Sequence, residues 1–220
     1  LLGLTLGTGF GAGIVSKNVL FTGDNSAGAE IWVMRNKKYD TLAEESISIR
    51  GVGNAYKKYA DISDNKDLSP KEVYNIAKGQ LPGNADAAVK AFSEFGEILG
   101  DCIANAVTLV DGLVVIGGGI SAAHELFMPS LMKELNTPYS SMKGNQVPRL
   151  EMKAFNLEDD IEMSAFLTGN YKELQIPESK RTVLYDPIKR IGVGISKLGT
   201  SKAVSFGAYA YALHRLDHHL

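Results

Sequence analysis

The stretch Leu6-Gly7-Thr8-Gly9-Phe10-Gly11-Ala12-Gly13-Ile14-Val15 places a glycine at every second position between two apolar runs. The pattern predicts a β-hairpin, with one strand before the glycines and another after them. Because successive side chains of a strand point to opposite faces, it also predicts that the four glycines share one face. A face of bare backbone is typical of a place where a ligand approaches the chain closely.

The spacing of these glycines decides between the known kinds of glycine-rich phosphate site. A dinucleotide-binding loop has the pattern Gly-x-Gly-x-x-Gly and opens a helix, whereas here the glycines alternate and a second strand follows. A P-loop is excluded as well, because no Gly-Lys-Ser/Thr closes the run. Two interpretations stay open: backbone N–H groups and the Thr8 hydroxyl face phosphate oxygens, or the hairpin is packed tightly beneath a helix.

A second glycine cluster occurs in Ile116-Gly117-Gly118-Gly119-Ile120-Ser121. It follows an apolar run at 113–116 that predicts a short buried strand, and Ser121 is predicted to cap a helix over 122–135. Glycines before a helix N-terminus allow an anionic or flat group to come close, because the first N–H groups of a helix lack acceptors. Tight packing of the turn is the alternative.

The rest of the chain alternates predicted strands with predicted helices, which indicates an α/β fold. Apolar residues at three- or four-residue steps predict a long amphipathic helix over 84–111, and Ser69-Pro70-Lys71-Glu72 is typical of a helix start, here continuing to about residue 78. The other predicted elements are strands at 30–34, 150–155 and 189–195, helices at 40–49 and 52–60, and a closing helix at 202–216 that Ser201 caps.

The composition excludes several classes of protein. The 220 residues are 45% hydrophobic with a formal net charge of -2, which is typical of a folded domain and not of a disordered chain. The near balance of 23 Lys and Arg with 25 Asp and Glu argues against nucleic-acid binding by charge alone. No apolar run reaches the ~18 residues that a membrane span needs, and a cytoplasmic location is expected. The one cysteine, Cys102, lies on the apolar face of the long helix, so we expect a core residue rather than a nucleophile.

The two ends of the chain lead to separate expectations. The chain begins at Leu1 within a predicted strand and without an initiator methionine, so we expect a fragment whose N-terminal part is missing. His218 and His219 are interpreted as a chain end or the remnant of a tag rather than a metal site.

The order of these motifs resembles the C-terminal lobe of a ROK-family sugar kinase and is similar to the related bacterial glucokinases. Residues 4–13 resemble the second phosphate-binding hairpin of the actin-like ATPase fold, and residues 113–121, after their long helix, resemble its adenosine motif. Residues 195–201, leading to 205–209, resemble the closing loop and helix of the same lobe. The resemblance implies that residues 1–220 form an actin-like (ribonuclease H-like) α/β lobe, a mixed sheet flanked by helices.

The resemblance also implies which residues bind ATP, with Mg²⁺, and a sugar. Glu30 and Glu44 match two family glutamates that contact sugar hydroxyls, although without the resemblance both would be interpreted as surface carboxylates. The family's catalytic base is an aspartate just before the hairpin, so it is expected upstream of Leu1 and no catalytic residue is expected in this chain. The residues that correspond to the family's ATP site are Gly7, Thr8, Gly9, Gly11, Gly117, Gly118, Gly119 and Ser201.

One stretch departs from the family pattern. Members carry Glu-x-Gly-His after the hairpin, whereas here Trp32 replaces the glycine and Val33 the histidine. Most members build a zinc site from that histidine and a cysteine-rich loop, so no structural zinc and no metal ligand are expected in this chain. The loss of the imidazole removes a hydrogen-bond partner beside the sugar, at a cost of ~1–3 kcal/mol for an unmatched polar group.

Three functions remain open from the sequence. The first is ATP-dependent phosphorylation of a hexose, with glucose as the default and N-acetylmannosamine, fructose or allose within the family's range. The second is a ROK-type sugar-responsive repressor, which needs a DNA-binding helix pair upstream and would bind nucleic acid through it alone. The third is a catalytically degenerate sugar-binding protein. The expected partners are a small-molecule sugar and ATP, without a membrane, and a homodimer is common among relatives.

Overall fold

The computed structural model describes residues 1–64 and 67–217, and its sheet carries the glycine motifs. The strands are β1 (Leu2–Leu6), β2 (Phe10–Ser16), β3 (Val19–Phe21), β4 (Val114–Gly117), β5 (Tyr139–Ser140), β6 (Gln146–Val147), β7 (Lys153–Asn156), β8 (Lys172–Gln175), β9 (Thr182–Tyr185) and β10 (Arg190–Ile195). Six of them form one sheet in the order β3-β2-β1-β4-β10-β7. The strands β1, β4, β10 and β7 run parallel, while β2 and β3 are antiparallel to their neighbours, so the sheet is mixed as expected.

The hairpin exists, but the prediction that its four glycines share one strand face is wrong. Leu6 pairs with Phe10, so the chain reverses over Gly7-Thr8-Gly9, where the Gly7 N–H donates to the Gly9 carbonyl at 3.0 Å. Only Gly11 and Gly13 lie within β2, two residues apart and therefore on the same face. The antiparallel pairing places the reversal inside the glycine run itself.

The helices are α1 (Ile49–Ala60), α2 (Pro70–Ala77), α3 (Ala85–Val110), α4 (His124–Asn136), α5 (Asp160–Thr168) and α6 (Thr200–Asp217). The long helix α3 is confirmed, with the Asn84 side chain accepting from the Ala87 N–H at its start. Its apolar stripe is buried in one core with α1, α4 and the inner face of the sheet, and Cys102 lies in that core as expected. The capping box at Ser69 and Glu72 that begins α2 is also confirmed.

The predicted strand at 30–34 and the predicted helix at 40–49 are both wrong. Short 3-10 turns occupy Ile31–Val33 and Ala43–Glu45 instead, and α1 begins at Ile49 with Ser48 as its cap. The polar side chain of Asn36, which is buried, bonds within this region and holds it in an irregular path. We call residues 34–46 the tethered segment.

Two serine caps were also predicted wrongly. A 3-10 turn at Gly119–Ala123 precedes α4, and the Ser121 hydroxyl donates to the Gly118 carbonyl at 2.7 Å instead of capping a helix. Ser201 lies inside the first turn of α6, which begins one residue earlier, at Thr200.

The region after α4 contains elements that the sequence did not predict. The hairpins β5–β6 and β8–β9 and helix α5 follow one another there, with β7 at 153–156 in place of the predicted 150–155. No side chain of α5, β8, β9 or α6 is buried. Among the described residues no helix is both long and apolar enough to cross a membrane. His218 and His219 lie outside the described residues.

Candidate functional site

A groove runs across the sheet face that does not belong to the core. In β1, Leu2, Leu4 and Leu6 are buried in the core, so the alternate residues Gly3 and Thr5 lie on the opposite face. The groove has a volume of about 480 Å³. Its lining comes from β1, β2, β4, the glycine turn after β4 and the start of α6 and includes Gly3, Thr5, Gly11, Gly13, Gly117, Gly118, Ser196, Gly199 and Thr200. We call it the glycine groove.

The structure brings three predicted ATP-site residues together in this groove, namely Gly11, Gly117 and Gly118. The other predicted positions lie beside it and are not among its lining: Gly7, Thr8, Gly9, Gly119 and Ser201. Gly13, one of the four alternating glycines, lines the groove as well, whereas Gly3 and Thr5 were not singled out from the sequence. The alternation of leucine with Gly3 and Thr5 was the available signal.

Gly118 allows the turn of the second glycine cluster to pack directly against Leu6, beside the first glycine run. Its φ is +91°, a conformation that side chains other than glycine rarely adopt, and a Cβ on Gly118 would lie 2.2 Å from the Leu6 carbonyl oxygen. The turn after β4 is therefore pressed against the end of β1. Tight packing of this turn, one of the two alternatives left by the sequence, is therefore present, and Gly117 and Gly118 also line the groove.

The amides of the Gly7–Gly9 turn have different partners. The Gly7 N–H is used within the turn, and the Gly7 carbonyl accepts from the Ile49 N–H at 2.9 Å. The Phe10 N–H donates to the Glu44 carboxylate at 2.9 Å. Within the part of the chain that the structure describes, the N–H groups of Thr8 and Gly9 have no acceptor, so these two can meet an anion.

Glu44, predicted as a sugar contact, lies against the predicted phosphate turn. Its Oε2 accepts from Phe10 and would lie 2.5 Å from a Cβ placed on Gly9. Arg50, at the start of α1, places Nη2 3.4 Å from Glu44 Oε1 and 2.8 Å from a Glu45 oxygen. The hydrogen bond from Arg50 holds the pKa of Glu45 below its ordinary value. A cation thus offsets the negative charge beside the turn.

Glu30, the other predicted sugar contact, lies elsewhere. It is exposed, and its Oε2 accepts from the Trp32 Nε1–H at 2.5 Å. It lines a second groove of about 700 Å³ with apolar neighbours such as Ile14, Phe21 and Met34. Glu30 and Glu44 therefore have different hydrogen-bond partners, Trp32 for the first and Phe10 and Arg50 for the second. The tryptophan that replaces the family glycine gives this carboxylate an intramolecular donor.

A carboxylate that the sequence did not single out holds the loop at the other end of the glycine groove. Glu158 Oε1 accepts from the Ile195 N–H at 2.8 Å, and its Oε2 accepts from Lys197 Nζ at 2.5 Å. Burial alone would raise the pKa of Glu158, but these bonds and the charge of Lys197 lower it by more, so the pKa lies below its ordinary value. The loop between β10 and α6, which lines the groove, is therefore fixed by an ionised side chain.

No group of three or more His, Cys, Asp or Glu side chains within residues 1–64 and 67–217 is arranged to hold a metal ion.

Comparisons with known proteins agree with this geometry. A family model described as "ROK family" matches residues 1–163. The N-acetyl-D-glucosamine kinase of Aliivibrio salmonicida is 30% identical over 186 residues, which are 76% of this chain and 58% of that protein. The N-acetyl-D-glucosamine kinase of Yersinia enterocolitica is 26% identical over 189 residues, with the same coverage of 76% and 58%.

Two solved structures extend the comparison to the fold. A glucokinase from Parabacteroides distasonis is 43% identical with a TM-score of 0.86, covering 97% of this chain and 57% of that one. A ROK family glucokinase from Streptomyces griseus, solved with glucose and AMPPNP, has a TM-score of 0.52 at 23% identity over 60% of this chain and 48% of that one. The expected actin-like ATPase fold is confirmed. The chain spans about half to three fifths of the length of these relatives.

Proposed function

Because this chain belongs to the ROK family, we propose that it forms the C-terminal lobe of an ATP-dependent sugar kinase. The observation that carries the proposal is the glycine groove, where Gly11 of the hairpin, Gly117 and Gly118 of the second cluster and the closing loop at Gly199 line one continuous surface. Three motifs far apart in sequence meet there, and glycines provide much of the surface between them. Such a surface suits a ligand with a flat base and an anionic tail.

The nucleotide is proposed to lie along this groove. Its phosphates face the Gly7–Gly9 turn, where the N–H groups of Thr8 and Gly9 and the exposed Thr8 hydroxyl donate to phosphate oxygens. Its adenosine lies against Gly117–Gly119 and the start of α6 near Ser201. The main contribution of these groups is to position the phosphates, because phosphoryl transfer depends chiefly on alignment and charge stabilisation.

The sugar is proposed to contact Glu44 and Glu30. Carboxylate oxygens accept hydrogen bonds from sugar hydroxyls, and Glu44 already lies at the phosphate turn, where the acceptor hydroxyl has to be. The catalytic base is proposed to be an aspartate outside this chain. Two sugar classes are to be tested, glucose and N-acetylglucosamine, because the matched proteins are named as kinases of one or the other.

ATP is used by kinases together with Mg²⁺, which supplies charge neutralisation of the phosphates. Because no cluster of three or more His, Cys, Asp or Glu side chains that could hold a metal occurs among the described residues, we assign no step through the ion to this chain. A cytoplasmic location and a homodimer remain proposals that accompany this function.

The experiment that tests the function is a coupled ADP-release assay on the complete gene product, with ATP and a panel of hexoses and N-acetylhexosamines. Sugar-dependent turnover is expected. Nucleotide binding without turnover on any sugar supports the degenerate alternative, whereas absence of nucleotide binding contradicts the proposal.

A variant in the glycine groove tests the nucleotide site. A Cβ at Gly11 would meet only the Thr5 Cβ, at 4.0 Å, and valine suits a strand, so Gly11→Val is expected to fold. Its isopropyl group fills part of the groove, and we expect at least about a tenfold loss of ATP affinity, the effect of ~1.4 kcal/mol. The matched control is Thr182→Val, an exposed position of β9. Unchanged ATP affinity in Gly11→Val contradicts the assignment of the groove.

A further inference from the structure

A buried carboxylate joins the tethered segment to two helices. Glu94 of α3 is only 6% exposed, and its Oε2 accepts from the Tyr59 hydroxyl of α1 at 2.7 Å and from the Tyr39 hydroxyl of the segment at 2.8 Å. Lys58 Nζ lies 3.3 Å from the same oxygen and about 5 Å from the centroids of both tyrosine rings. Two hydroxyl donors and one ammonium group therefore compensate the burial of the charge.

The protonation states of this cluster are set by the same contacts. Burial alone would raise the pKa of Glu94, but the hydrogen bonds from Tyr59 and Tyr39 and the charge of Lys58 lower it by more, so the pKa lies below its ordinary value. Burial and the bond to Glu94 raise the pKa of Tyr59 to about 12. Glu94 is thus an ionised acceptor and Tyr59 a protonated donor at neutral pH.

Hydrogen bonds of Asn36 connect the two ends of the tethered segment. It is 2% exposed, its Oδ1 accepts from the N–H groups of Lys38 and Tyr39, and its Nδ2 donates to the Ser46 hydroxyl at 2.9 Å. One side chain therefore ties the tyrosine end of the segment to the glutamate end. Ion pairs of Lys38 and of its neighbour Lys37 with Glu97 also hold the segment, but these charges are partly exposed and contribute less.

The far end of the segment reaches the candidate site. Ser46 follows Glu44 by two residues, and Glu44 accepts from the Phe10 N–H beside the phosphate turn. Three residues beyond Ser46, the Ile49 N–H donates to the Gly7 carbonyl. The segment therefore spans from a buried anchor at Glu94 to the contact of Glu44 at the glycine hairpin, and Ile49, just beyond the segment, adds a second contact there.

We propose that Tyr39, through its hydrogen bond to Glu94, is a positioning residue that holds Glu44 against the phosphate turn. Tyr39 touches neither the glycine groove nor the hairpin and acts through the segment. The effect of Tyr39 on catalysis rests on the proposed function, in which Glu44 contacts the sugar. The effect of Tyr39 on the position of Glu44 does not depend on that function, because exchange of the Phe10 amide reports directly on the Glu44 contact.

The two tyrosines provide a matched pair of variants. Tyr39→Phe and Tyr59→Phe each remove one hydroxyl from the same Glu94 oxygen, at 2.8 and 2.7 Å, but only Tyr39 belongs to the tethered segment. Both are compared in the complete gene product with Glu44→Ala, which removes the acceptor altogether and sets the largest effect. The measurements are hydrogen exchange of the Phe10 amide and the kcat and KM for the sugar.

Tyr39→Phe removes the bond to Glu94 and also the bond that the same hydroxyl accepts from Lys58 Nζ at 2.5 Å. It is expected to speed exchange of the Phe10 amide about fivefold to tenfold and to raise the sugar KM by a similar factor, an effect of about the size of one hydrogen bond because Lys58 keeps its pairing with Glu94. Tyr59→Phe is expected to leave both values within about twofold, because α1 stays packed on α3. Equal effects of the two variants make the cluster a structural element only and overturn the inference. No change in either also overturns it. Faster exchange with an unchanged KM upholds the positioning role and counts against Glu44 as a sugar contact.

Discussion

Replacing Gly118 by alanine is expected to destabilise the protein far more than the same change at Gly119. At Gly118 the backbone has φ +91°, and the added Cβ would lie 2.2 Å from the Leu6 carbonyl oxygen and 2.5 Å from the Leu6 nitrogen. Holding alanine in such a conformation costs about 1–3 kcal/mol. Pushing β1 away from the turn costs a further ~1–3 kcal/mol, as overpacking does in other cores. Gly118→Ala is therefore expected to lose about 2–6 kcal/mol of unfolding free energy.

Gly119 provides the control, because it is the next residue and a Cβ there would meet nothing within 4 Å. Gly119→Ala is expected to change the free energy of unfolding by no more than about 0.5 kcal/mol. The assay is urea unfolding of the complete gene product, followed by fluorescence, with the midpoint and slope fitted for each variant. A Gly118→Ala protein whose midpoint equals that of Gly119→Ala refutes the argument that the turn after β4 is pressed onto β1.

Two further outcomes are expected. Glu158→Gln removes the charge that pairs with Lys197 and weakens the bond to the Ile195 N–H, so the loop at the end of the glycine groove loosens. Steady-state kinetics are expected to show the KM for ATP raised about threefold to tenfold with kcat nearly unchanged, and an unchanged KM contradicts the role of this loop. Burial raises the pKa of Cys102 to about 12, so the thiol is expected to resist a thiol reagent at pH 8 in the native protein and to react only after denaturation. Rapid labelling of the native protein would instead show that the core around α3 opens.

Local signals explain the parts of the fold that the sequence predicted well. The Ser69-to-Glu72 capping box and the Asn84 cap form bonds within a few residues, so their geometry follows from the local sequence. The stripe of α3 repeats over 26 residues, which leaves little doubt of its period. The glycine run indicated a hairpin, but which glycines turn and which pair depends on the register with β1.

The tethered segment could not be predicted because distant residues decide its path. Its charged sequence around Glu44 has helical character, but Asn36 bonds to Ser46 and Tyr39 to Glu94, and these contacts replace a helix. Ser121 was misassigned for a similar reason, since its hydroxyl bonds back to Gly118. The sequence pointed to Gly11, Gly117 and Gly118, which line the glycine groove, but not to Glu158, because Glu158 bonds to a loop 37 residues further along the chain.

The close contact between α3 and α4 has a consequence for the floor of the groove. A Cβ on Gly96 would lie 2.2 Å from the Phe127 carbonyl oxygen, so the two helix backbones touch there and cannot slide past one another. The chain between these helices is β4 and the Gly117–Gly119 turn, which is thereby clamped at both flanks. The nucleotide proposed above would therefore meet a surface already in its final shape, and little binding energy would be spent on ordering the protein.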